Sequence, residues 1–415
     1  MGVAKKTSSR SVWFHDRRVD KVALMKVVHI ITRLILGGAQ ENTLLTVEDQ
    51  NHVWHDDVTL VTGPAIGPEG SLVERARAGQ LDVRIIPQLR RAIHPLRDWR
   101  SYLEMLALLR EIKPQIVHTH SSKAGILGRA AAWKLRIPVV HTIHGSPFHR
   151  YQNRLVHDFY RRAERWAARR CDLLISVCDA MTEQYVAAGI APREQFVTVY
   201  SGMEVEPFLN PQRPREDVRR ELGLRPEHVV VGKVARLFEL KGHEDVIDAA
   251  RLIVPQNQNI RFLFVGDGIL RKRLEERIAH AGLANHFVFT GLVPPERVAE
   301  LIGATDVVVH ASLREGLARV LPQALIAGKP VVSYDIDGAR EVVLPGETGF
   351  LLPPRAVNDL AAAILQLAGD PLMRERLGFT GRAKFTDQFR HETMTARLRE
   401  IYERVLSGRG CRAAV

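Results

Sequence analysis

Short apolar runs and longer amphipathic stretches alternate along this chain from Met25 onward. Runs rich in β-branched residues predict strands, and apolar residues three and four apart predict helices such as Ala39–Asp49, Trp99–Ile112 and Ala124–Lys134. Because the runs are apolar almost throughout, they indicate parallel strands covered by helices on both faces. In the first half the predicted strands are Lys26–Ile31, Asp57–Val61, Val83–Ile86, Ile116–His120, Val139–Ile143, Leu173–Val177 and Phe196–Tyr200.

The alternation stops at residues 203–217 and then begins again. This segment carries three prolines and a cluster of charges, which is typical of a linker. The chain ends in a charged helical pattern at His391–Leu406. In the second half the predicted strands are Val229–Ala235, Ile260–Val265, Phe287–Thr290, Val307–His310 and Val331–Tyr334.

The whole pattern predicts an α/β protein with two tandem Rossmann-like doubly wound domains that face a central cleft. A ligand held between such domains would lie at the carboxyl ends of both sheets. The predicted divisions are a disordered basic tail at 1–24, an N-terminal Rossmann-like domain at 25–202, a linker at 203–217, a C-terminal Rossmann-like domain at 218–390 and a C-terminal helix at 391–408.

Composition fits a soluble two-domain protein of 415 residues, with 46% hydrophobic residues. Its cysteines, Cys171, Cys178 and Cys411, form no metal-binding or disulfide pattern, which favours a reducing cytosol. The sequence has no apolar stretch of about 18 residues, so a membrane-spanning helix is not predicted. The first residues lack the apolar segment of a signal peptide. We therefore expect a cytoplasmic protein.

The positive charge is concentrated in the first half of the chain. Residues 1–200 hold 29 Lys and Arg against 19 Asp and Glu, a net charge of +10, whereas residues 201–415 hold 30 against 28, a net of +2. One basic cluster contains Arg90, Arg91, Arg97 and Arg100, and another is the segment Arg150–Arg170, where aromatic residues are interleaved. Such a surface attracts anionic headgroups, phosphorylated acceptors or nucleic acid, but an ordinary solvated helix face explains it equally well.

The segment His310–Val332 carries the most chemical information. Glu315 lies on a glycine-containing turn, and the amide of Gln323 follows at the predicted start of a buried helix. A turn that opens a helix suits a diphosphate, and a carboxylate beside it can accept hydrogen bonds from sugar hydroxyls. Pro322 must then lie in the first turn of that helix, because it has no N–H.

Two further positions suit a phosphorylated ligand. The pair Gly37-Gly38 opens a helix after the first strand, where a missing Cβ allows close approach, although a simple tight turn is as good an explanation. Arg236 and Lys241 follow the first strand of the second domain and could neutralise a diphosphate.

Histidines cluster at predicted strand ends in the first domain, at His118, His120, His141 and His144. A zinc site is one interpretation, but no cysteine or HExxH helix accompanies them. Presentation of His120 and His144 to the crevice as hydrogen-bond donors fits better. The sequence Asp335-Ile-Asp337 is interpreted as a false match to a metal-binding DxD motif. Neither a GxSxG elbow nor a P-loop is present.

In order and spacing, seven segments together resemble family 4 of the retaining glycosyltransferases, which have the GT-B fold. They are ITRLILGGAQ, HTHSSKAGILGRAAA, HTIHG, VARLFELKG, FVGDG, FTGLVPPE and SLREGLARVLPQALIAGKPVV. The resemblance extends from about Met25 to Leu406. It implies that the N-terminal domain binds the acceptor, that the C-terminal domain binds the nucleotide-sugar donor, and that the C-terminal helix crosses back to the N-terminal domain.

The resemblance implies roles for individual residues. Glu315 would hold donor-sugar hydroxyls, and His144 would support positive charge at the anomeric carbon. The remaining roles concern the phosphates, the nucleotide and the acceptor. Donor-binding positions would be Gly37, Gly38, Arg236, Lys241, Gly316, Leu317, Ala318 and Gln323, and acceptor-side positions would be His120 and Lys123. Gln323 stands where the family usually has a second Glu, so we expect altered nucleotide binding rather than loss of activity.

The implied reaction is transfer of a hexose with retention, from a UDP or GDP sugar to a lipid-linked or polysaccharide-precursor acceptor. The leaving diphosphate would help take the acceptor proton, and neither a metal nor another cofactor is expected. Peripheral contact with an anionic membrane is expected, and nucleic acid is not. A nucleotide-sugar epimerase or a glycogen-phosphorylase-like enzyme on the same scaffold is the alternative.

Overall fold

Seven parallel strands form the sheet of the first domain in the computed structural model, which describes residues 24–67 and 70–408. The strands are β1 (Lys26–Ile31), β2 (Asp57–Thr62), β3 (Asp82–Ile85), β4 (Ile116–His120), β5 (Val139–Ile143), β6 (Leu173–Ser176) and β7 (Phe196–Thr198). Their order across the sheet is β3-β2-β1-β4-β5-β6-β7. The chain changes direction between β1 and β4, which creates a switch-point crevice at their carboxyl ends.

Helices cover both faces of this sheet, as near-continuously buried strands require. They are α1 (Gly38–His52), α2 (Val73–Ala78), α3 (Pro95–Ile112), α4 (Ser122–Lys134), α5 (Arg154–Ala168) and α6 (Asp179–Ala187). The predicted tail at 1–24 lies, apart from Leu24, outside the described residues.

The second domain repeats this design with six parallel strands. After the short helices α7 (Glu206–Leu209) and α8 (Arg215–Glu221), the strands are β8 (Val229–Val234), β9 (Ile260–Val265), β10 (Phe287–Gly291), β11 (Val307–His310), β12 (Val331–Tyr334) and β13 (Gly349–Leu352). The strand order is β10-β9-β8-β11-β12-β13, so the switch point lies between β8 and β11. The remaining helices are α9 (His243–Ile253), α10 (Arg271–His280), α11 (Pro295–Gly303), α12 (Val320–Ile326), α13 (Val357–Gly369), α14 (Pro371–Phe385) and α15 (His391–Leu406).

The predicted fold class is confirmed, and most strand bounds agree within one or two residues. The edge strand β13 was not predicted. It is four residues long and begins with a glycine, so its apolar run is too short to stand out. Within the described residues, no helix is both long and apolar enough to cross a membrane.

The segment predicted as a linker, residues 203–217, is not an open connection. It contains α7 and the first turn of α8, and Met203, Val205 and Phe208 are buried in an apolar cluster with residues of the second domain. Pro207 lies in the first turn of α7 and Pro214 immediately precedes α8, positions at which a helix tolerates proline. The Met203 N–H donates to the Phe389 carbonyl at 2.8 Å, so the two interdomain connections run side by side.

The last helix, α15, packs against the first domain. Its apolar face joins a cluster that contains residues of β1, β4, β5 and β6, and Tyr402 is fully buried there. Arg399 on the same helix is 3% exposed and forms an ion pair with Asp56, whose side chain is 1% exposed. The C-terminal residues therefore complete the core of the N-terminal domain.

Candidate active site

Glu315 and Lys241 meet at the switch point of the second domain. Glu315 follows β11 and Lys241 follows β8, which are neighbours in the sheet, so their carboxyl ends bring the two side chains together. The Lys241 ammonium donates to Glu315 Oε1, and His310 Nε2 lies 3.8 Å from the same oxygen. The Glu315 N–H donates to Asp337 Oδ2 at 2.7 Å, which fixes the turn.

The environment of Glu315 favours its ionised form. Burial alone would raise the pKa of this carboxyl, but His310 and Lys241 outweigh that effect and lower it to about 2. Burial lowers the pKa of His310, although Glu315 partly opposes this. A fixed carboxylate beside a cation at the mouth of a crevice is suited to binding hydroxyl groups and phosphate oxygens together.

His144 faces this site from the first domain. It follows β5, and its carbonyl oxygen lies 3.1 Å from the position that a Cβ on Gly316 would occupy. A second link crosses the cleft where Arg314 donates to the Ser146 carbonyl. Burial, and then the charge of Arg319, lowers the pKa of His144 to about 4. His144 is therefore neutral at physiological pH.

The pair Gly37-Gly38 lies on the wall of the cleft that the first domain forms, across from Arg319 of the second domain. Helix α1 starts at Gly38, and the Arg319 side chain crosses over it, so a Cβ on Gly38 would come within 2.7 Å of Arg319 Cδ. Arg319 Nη1 donates to Glu41 in the first turn of α1. A Cβ on Gly37 would meet only the flexible end of Gln40, at 2.8 Å.

The other predicted donor-binding residues lie around the same cleft. Arg236 is exposed after β8 and stacks on Phe238, with its guanidinium carbon 5.1 Å from the ring centre. Gln323 is half-buried on α12, and Pro322 lies in the first turn of that helix as required. The side chains of Leu317 and Ala318 pack into apolar clusters, so only their backbone groups can serve a ligand.

His120 does not face the crevice as predicted. It is 1% exposed because it points into the first domain, where its Nδ1 lies 3.1 Å from His144 Nε2. Its Nε2 lies 3.0 Å from His29 Nδ1, and His29 Nε2 lies 2.8 Å from Gln50 Oε1. His120 therefore supports His144 instead of meeting an acceptor directly.

Three buried histidines of the first domain lie close enough together to suggest a metal site. Ligand atoms of His29, His118 and His120 lie within 4.8 Å of one another. However, both nitrogens of each ring already have hydrogen-bond partners, including Tyr402 and Thr142 for His118. A metal ion bound by these three rings would have to displace some of these hydrogen bonds.

Lys123 also differs from its predicted acceptor-side role. Its ammonium lies 2.7 Å from Asp98 Oδ1 and also donates to the Ala92 carbonyl, so it links α4 to the start of α3.

A cavity of about 230 Å³ borders His144 and is lined by Ser121 and Ser122. Ser121 has a φ of +59° and a ψ of 157°, a strained combination that is essentially confined to glycine.

The carboxylates of the DxD-like sequence, Asp335 and Asp337, accept hydrogen bonds from other groups of the protein. Asp335 accepts two hydrogen bonds from Arg340, at 3.0 and 2.9 Å, and Asp337 accepts from the Glu315 backbone. Both carboxylates therefore have partners within the protein.

A separate cavity of about 890 Å³ lies at the opposite end of β5 and β6, where Arg165 and Arg170 donate to carbonyls at helix ends. Those arginines complement helix C-termini and lie away from the cleft.

Comparisons with known proteins agree with this arrangement. Residues 37–202 match the model of the glycosyl transferase 4-like domain, and residues 214–384 match that of glycosyl transferases group 1. The UDP-Gal:alpha-D-GlcNAc-diphosphoundecaprenol alpha-1,3-galactosyltransferase of Escherichia coli is 28% identical over 354 residues, 84% of this chain and 89% of that protein. The capsular polysaccharide biosynthesis glycosyltransferase CapM of Staphylococcus aureus is 25% identical over 335 residues, 78% of this chain and 85% of that protein.

Solved structures share the fold. Anabaena HepE, crystallised with UDP and glucose, superposes with a TM-score of 0.79 at 22% identity and covers 91% of this chain and 99% of its own. Fold and site thus define a glycosyltransferase of the GT-B type. The chain belongs to the group 1 glycosyltransferases, with a family 4-like N-terminal domain. The predicted enzyme class, a hexosyltransferase, is confirmed, whereas the epimerase or phosphorylase alternative has no support from these comparisons.

Several residues at the site were not predicted. Arg319 lies in the segment His310–Val332, but its contact with Glu41 of the first domain depends on how the two domains are placed. His29 interrupts the apolar run KVVHII, and a polar residue inside a buried strand could have signalled an internal partner. Gln50, which completes that contact, lies on α1 without any distinguishing pattern.

Proposed function

We propose that the protein is a retaining hexosyltransferase that moves a hexose from a nucleotide-diphosphate sugar, with UDP or GDP, to a lipid-linked or polysaccharide-precursor acceptor. It would act in the synthesis of cell-envelope or exopolysaccharide glycans. The observation that carries this proposal is the convergence of Glu315, Lys241, Gly316 and His144 at the carboxyl ends of both sheets. The E. coli relative is named for a diphosphoundecaprenol acceptor, and HepE was crystallised with UDP and glucose.

The charges in the cleft suit a diphosphate leaving group. Lys241 has three N–H donors and uses one on Glu315, so two remain for phosphate oxygens. Arg236 can add a two-pronged contact from the neighbouring loop. These cations would stabilise the negative charge that grows as the anomeric C–O bond breaks. Glu315, ionised and fixed, would hold hydroxyls of the sugar.

In this proposal the configuration at the anomeric carbon is retained, because the acceptor oxygen attacks that carbon on the same face that the leaving diphosphate occupies. The acceptor oxygen forms a bond to the anomeric carbon while the bond to the diphosphate oxygen breaks, and the acceptor proton passes to the departing diphosphate. Contacts across the cleft, such as Arg319 with Glu41 and Arg314 with Ser146, hold the domains close enough to exclude water.

Binding of a nucleoside diphosphate tests the donor proposal. At about 100 times its Kd, a bound nucleotide adds roughly 2.7 kcal/mol to stability. We expect either UDP or GDP to raise the Tm of the wild type in a panel with ADP and CMP, and Arg236→Ala to abolish the rise. The control is Arg251→Ala, because Arg251 is an exposed residue of the same domain. If no nucleotide raises the Tm, or if both variants respond equally, the assigned donor site is wrong.

We also propose that catalysis needs no metal. The histidine nitrogens are engaged, and Asp335 and Asp337 are held by other groups. Once a donor is found, dialysis against EDTA is expected to leave kcat unchanged, because Lys241 and Arg236 supply the positive charge. Restoration of a lost activity by added Mg²⁺ or Mn²⁺ would refute this proposal.

A basic and apolar surface on the first domain supports peripheral membrane contact at the cytoplasmic face. Helices α3, α4 and α5 lie side by side on the sheet. Their outer faces expose apolar side chains such as Leu96 (70%), Leu155 (81%) and Phe159 (56%). Exposed arginines surround them, which suits an anionic headgroup layer. These arginines are Arg90, Arg91, Arg100, Arg154 and Arg162.

Liposome binding tests this surface. We expect binding to anionic vesicles that weakens as salt is added and that is lost on Arg154→Glu with Arg162→Glu, because the attraction is electrostatic. Lys272→Glu on α10, where the side chain is 91% exposed, is the matched control. Binding that does not change with salt, or equal loss in the control, would rule out this mode of contact.

A further inference from the structure

A row of hydrogen-bonded rings runs from α1 through the first sheet to the cleft. Gln50 Oε1 lies 2.8 Å from His29 Nε2, His29 Nδ1 lies 3.0 Å from His120 Nε2, and His120 Nδ1 lies 3.1 Å from His144 Nε2. Gln50, His29 and His120 are buried, and only His144 reaches the cleft. Its other ring nitrogen, Nδ1, has no partner among the described residues and is not enclosed.

The end of this row decides where its protons lie. A neutral imidazole has one N–H donor and one lone-pair acceptor. Because the Gln50 oxygen can only accept, His29 must carry its proton on Nε2 and leave Nδ1 as an acceptor. His120 then donates from Nε2 and accepts at Nδ1, so His144 must donate from Nε2. The Nδ1 atom of His144 is left without a proton.

The row is suited to orientation and not to proton export. Burial lowers the pKa of His29 to about 4 and holds the pKa of His120 well below its ordinary value, so both rings stay neutral at physiological pH. A proton passed inward would reach the Gln50 amide, which is too weak a base to keep it. The row instead aligns three imidazole dipoles with their negative ends toward the cleft, and aligned hydrogen bonds strengthen one another.

We propose that Gln50, His29 and His120 are positioning residues that hold His144 as the Nε2–H tautomer, with a bare Nδ1 directed at the substrates. There Nδ1 accepts a hydrogen bond from a substrate hydroxyl and presents negative potential to the anomeric carbon as positive charge develops. This role rests on the glycosyl transfer proposed above and explains how a neutral histidine supports that charge without a second carboxylate.

The tautomer can be measured without any substrate. In ¹⁵N-histidine-labelled protein, two-bond ¹H–¹⁵N spectra distinguish the protonated ring nitrogen from the bare one, and His144→Asn identifies the His144 signals. We expect His144 protonated at Nε2 and bare at Nδ1. The opposite pattern overturns the proposal. Because this measurement needs no donor, a failure of the glycosyl-transfer proposal cannot be mistaken for a failure of this one.

Variants of His120 test the consequence for catalysis. His120→Phe breaks the row and is expected to lower kcat by roughly 10- to 100-fold, with less effect on the donor KM. His120→Gln keeps one acceptor and one donor and should restore most of the rate. His141→Asn is the matched control, since His141 is 2% exposed on β5 but bonds to Thr119 instead. A loss that glutamine does not restore, or an equal loss in the control, contradicts the proposal.

A third variant covers the case in which His120→Phe does not fold. Gln50→Met has nearly the same length but removes the oxygen that accepts from His29. We therefore expect part of the His144 population in this variant to carry its proton on Nδ1. A His144 ring that stays fully protonated at Nε2 would show that Gln50 does not set the direction of the row and would contradict the proposal.

Discussion

Replacing Glu315 by Gln is expected to lower kcat for sugar transfer by roughly 100- to 1000-fold, the loss typical of removing one charged contact to a transition state. The change keeps the shape of the side chain but removes the charge that Lys241 and His310 hold in place. Steady-state kinetics with the donor found in the nucleotide panel would measure it. Glu347→Gln is the control, because Glu347 forms only a partly exposed ion pair with Lys384.

The same variant has a pH signature. The pKa of Glu315 in the folded protein, about 2, lies below its ordinary value of 4.5, so the carboxylate adds stability that is fully present above about pH 5 and is lost as the pH falls through 2. The difference in unfolding free energy between wild type and Glu315→Gln should therefore be constant near neutrality and shrink on acidification. A difference that grows on acidification, or a kcat close to that of the wild type, would exclude the role assigned to Glu315.

The largest loss of stability is expected from Arg399→Ala on α15. Its guanidinium neutralises Asp56, which also accepts from the Met25 N–H at 2.9 Å. Burial already raises the pKa of the Asp56 carboxyl despite this partner. Removing one partner of a buried ion pair leaves an uncompensated charge and typically costs about 3–5 kcal/mol. Denaturant unfolding would show the loss as a lower midpoint.

Arg397 provides the comparison on the same helix. Its side chain is 52% exposed and pairs with Glu400, which is 61% exposed, so Arg397→Ala should cost at most about 1 kcal/mol. Equal midpoints for the two variants would mean that α15 contributes little to the first domain. An intermediate in the unfolding of Arg399→Ala would indicate that α15 detaches first.

The sequence was most informative where one local pattern determines the outcome. Strands β1, β4, β5, β9, β11 and β12 have the predicted bounds, because a continuous β-branched run buried on both faces has no competing structure. Glu315 and Lys241 could be associated because carboxyl ends of neighbouring strands share one edge of a sheet. The linker at residues 203–217 was predicted from proline-rich composition, which does not reveal that Met203 and Phe208 pack into a core.

The rest of the site depends on relations that the sequence does not encode locally. His120 and His144 both follow or end strands, but the pleat turns the His120 side chain into the domain and leaves His144 in the cleft. The pairing of Arg319 with Glu41 joins residues 278 positions apart and needs the relative placement of two domains. Such contacts are set by packing between elements and not by residue type.

The position of α15 has a consequence for the order in which the protein can fold. Leu398, Ile401 and Tyr402, which are synthesised after the second domain, fill the base of the first domain, whose strand β1 is synthesised before the second domain. On the ribosome, the first domain must wait with an open apolar groove until the second domain has been synthesised. Separate expression of residues 25–202 should therefore give an unstable fragment, and supplying α15 as a peptide in trans should rescue it.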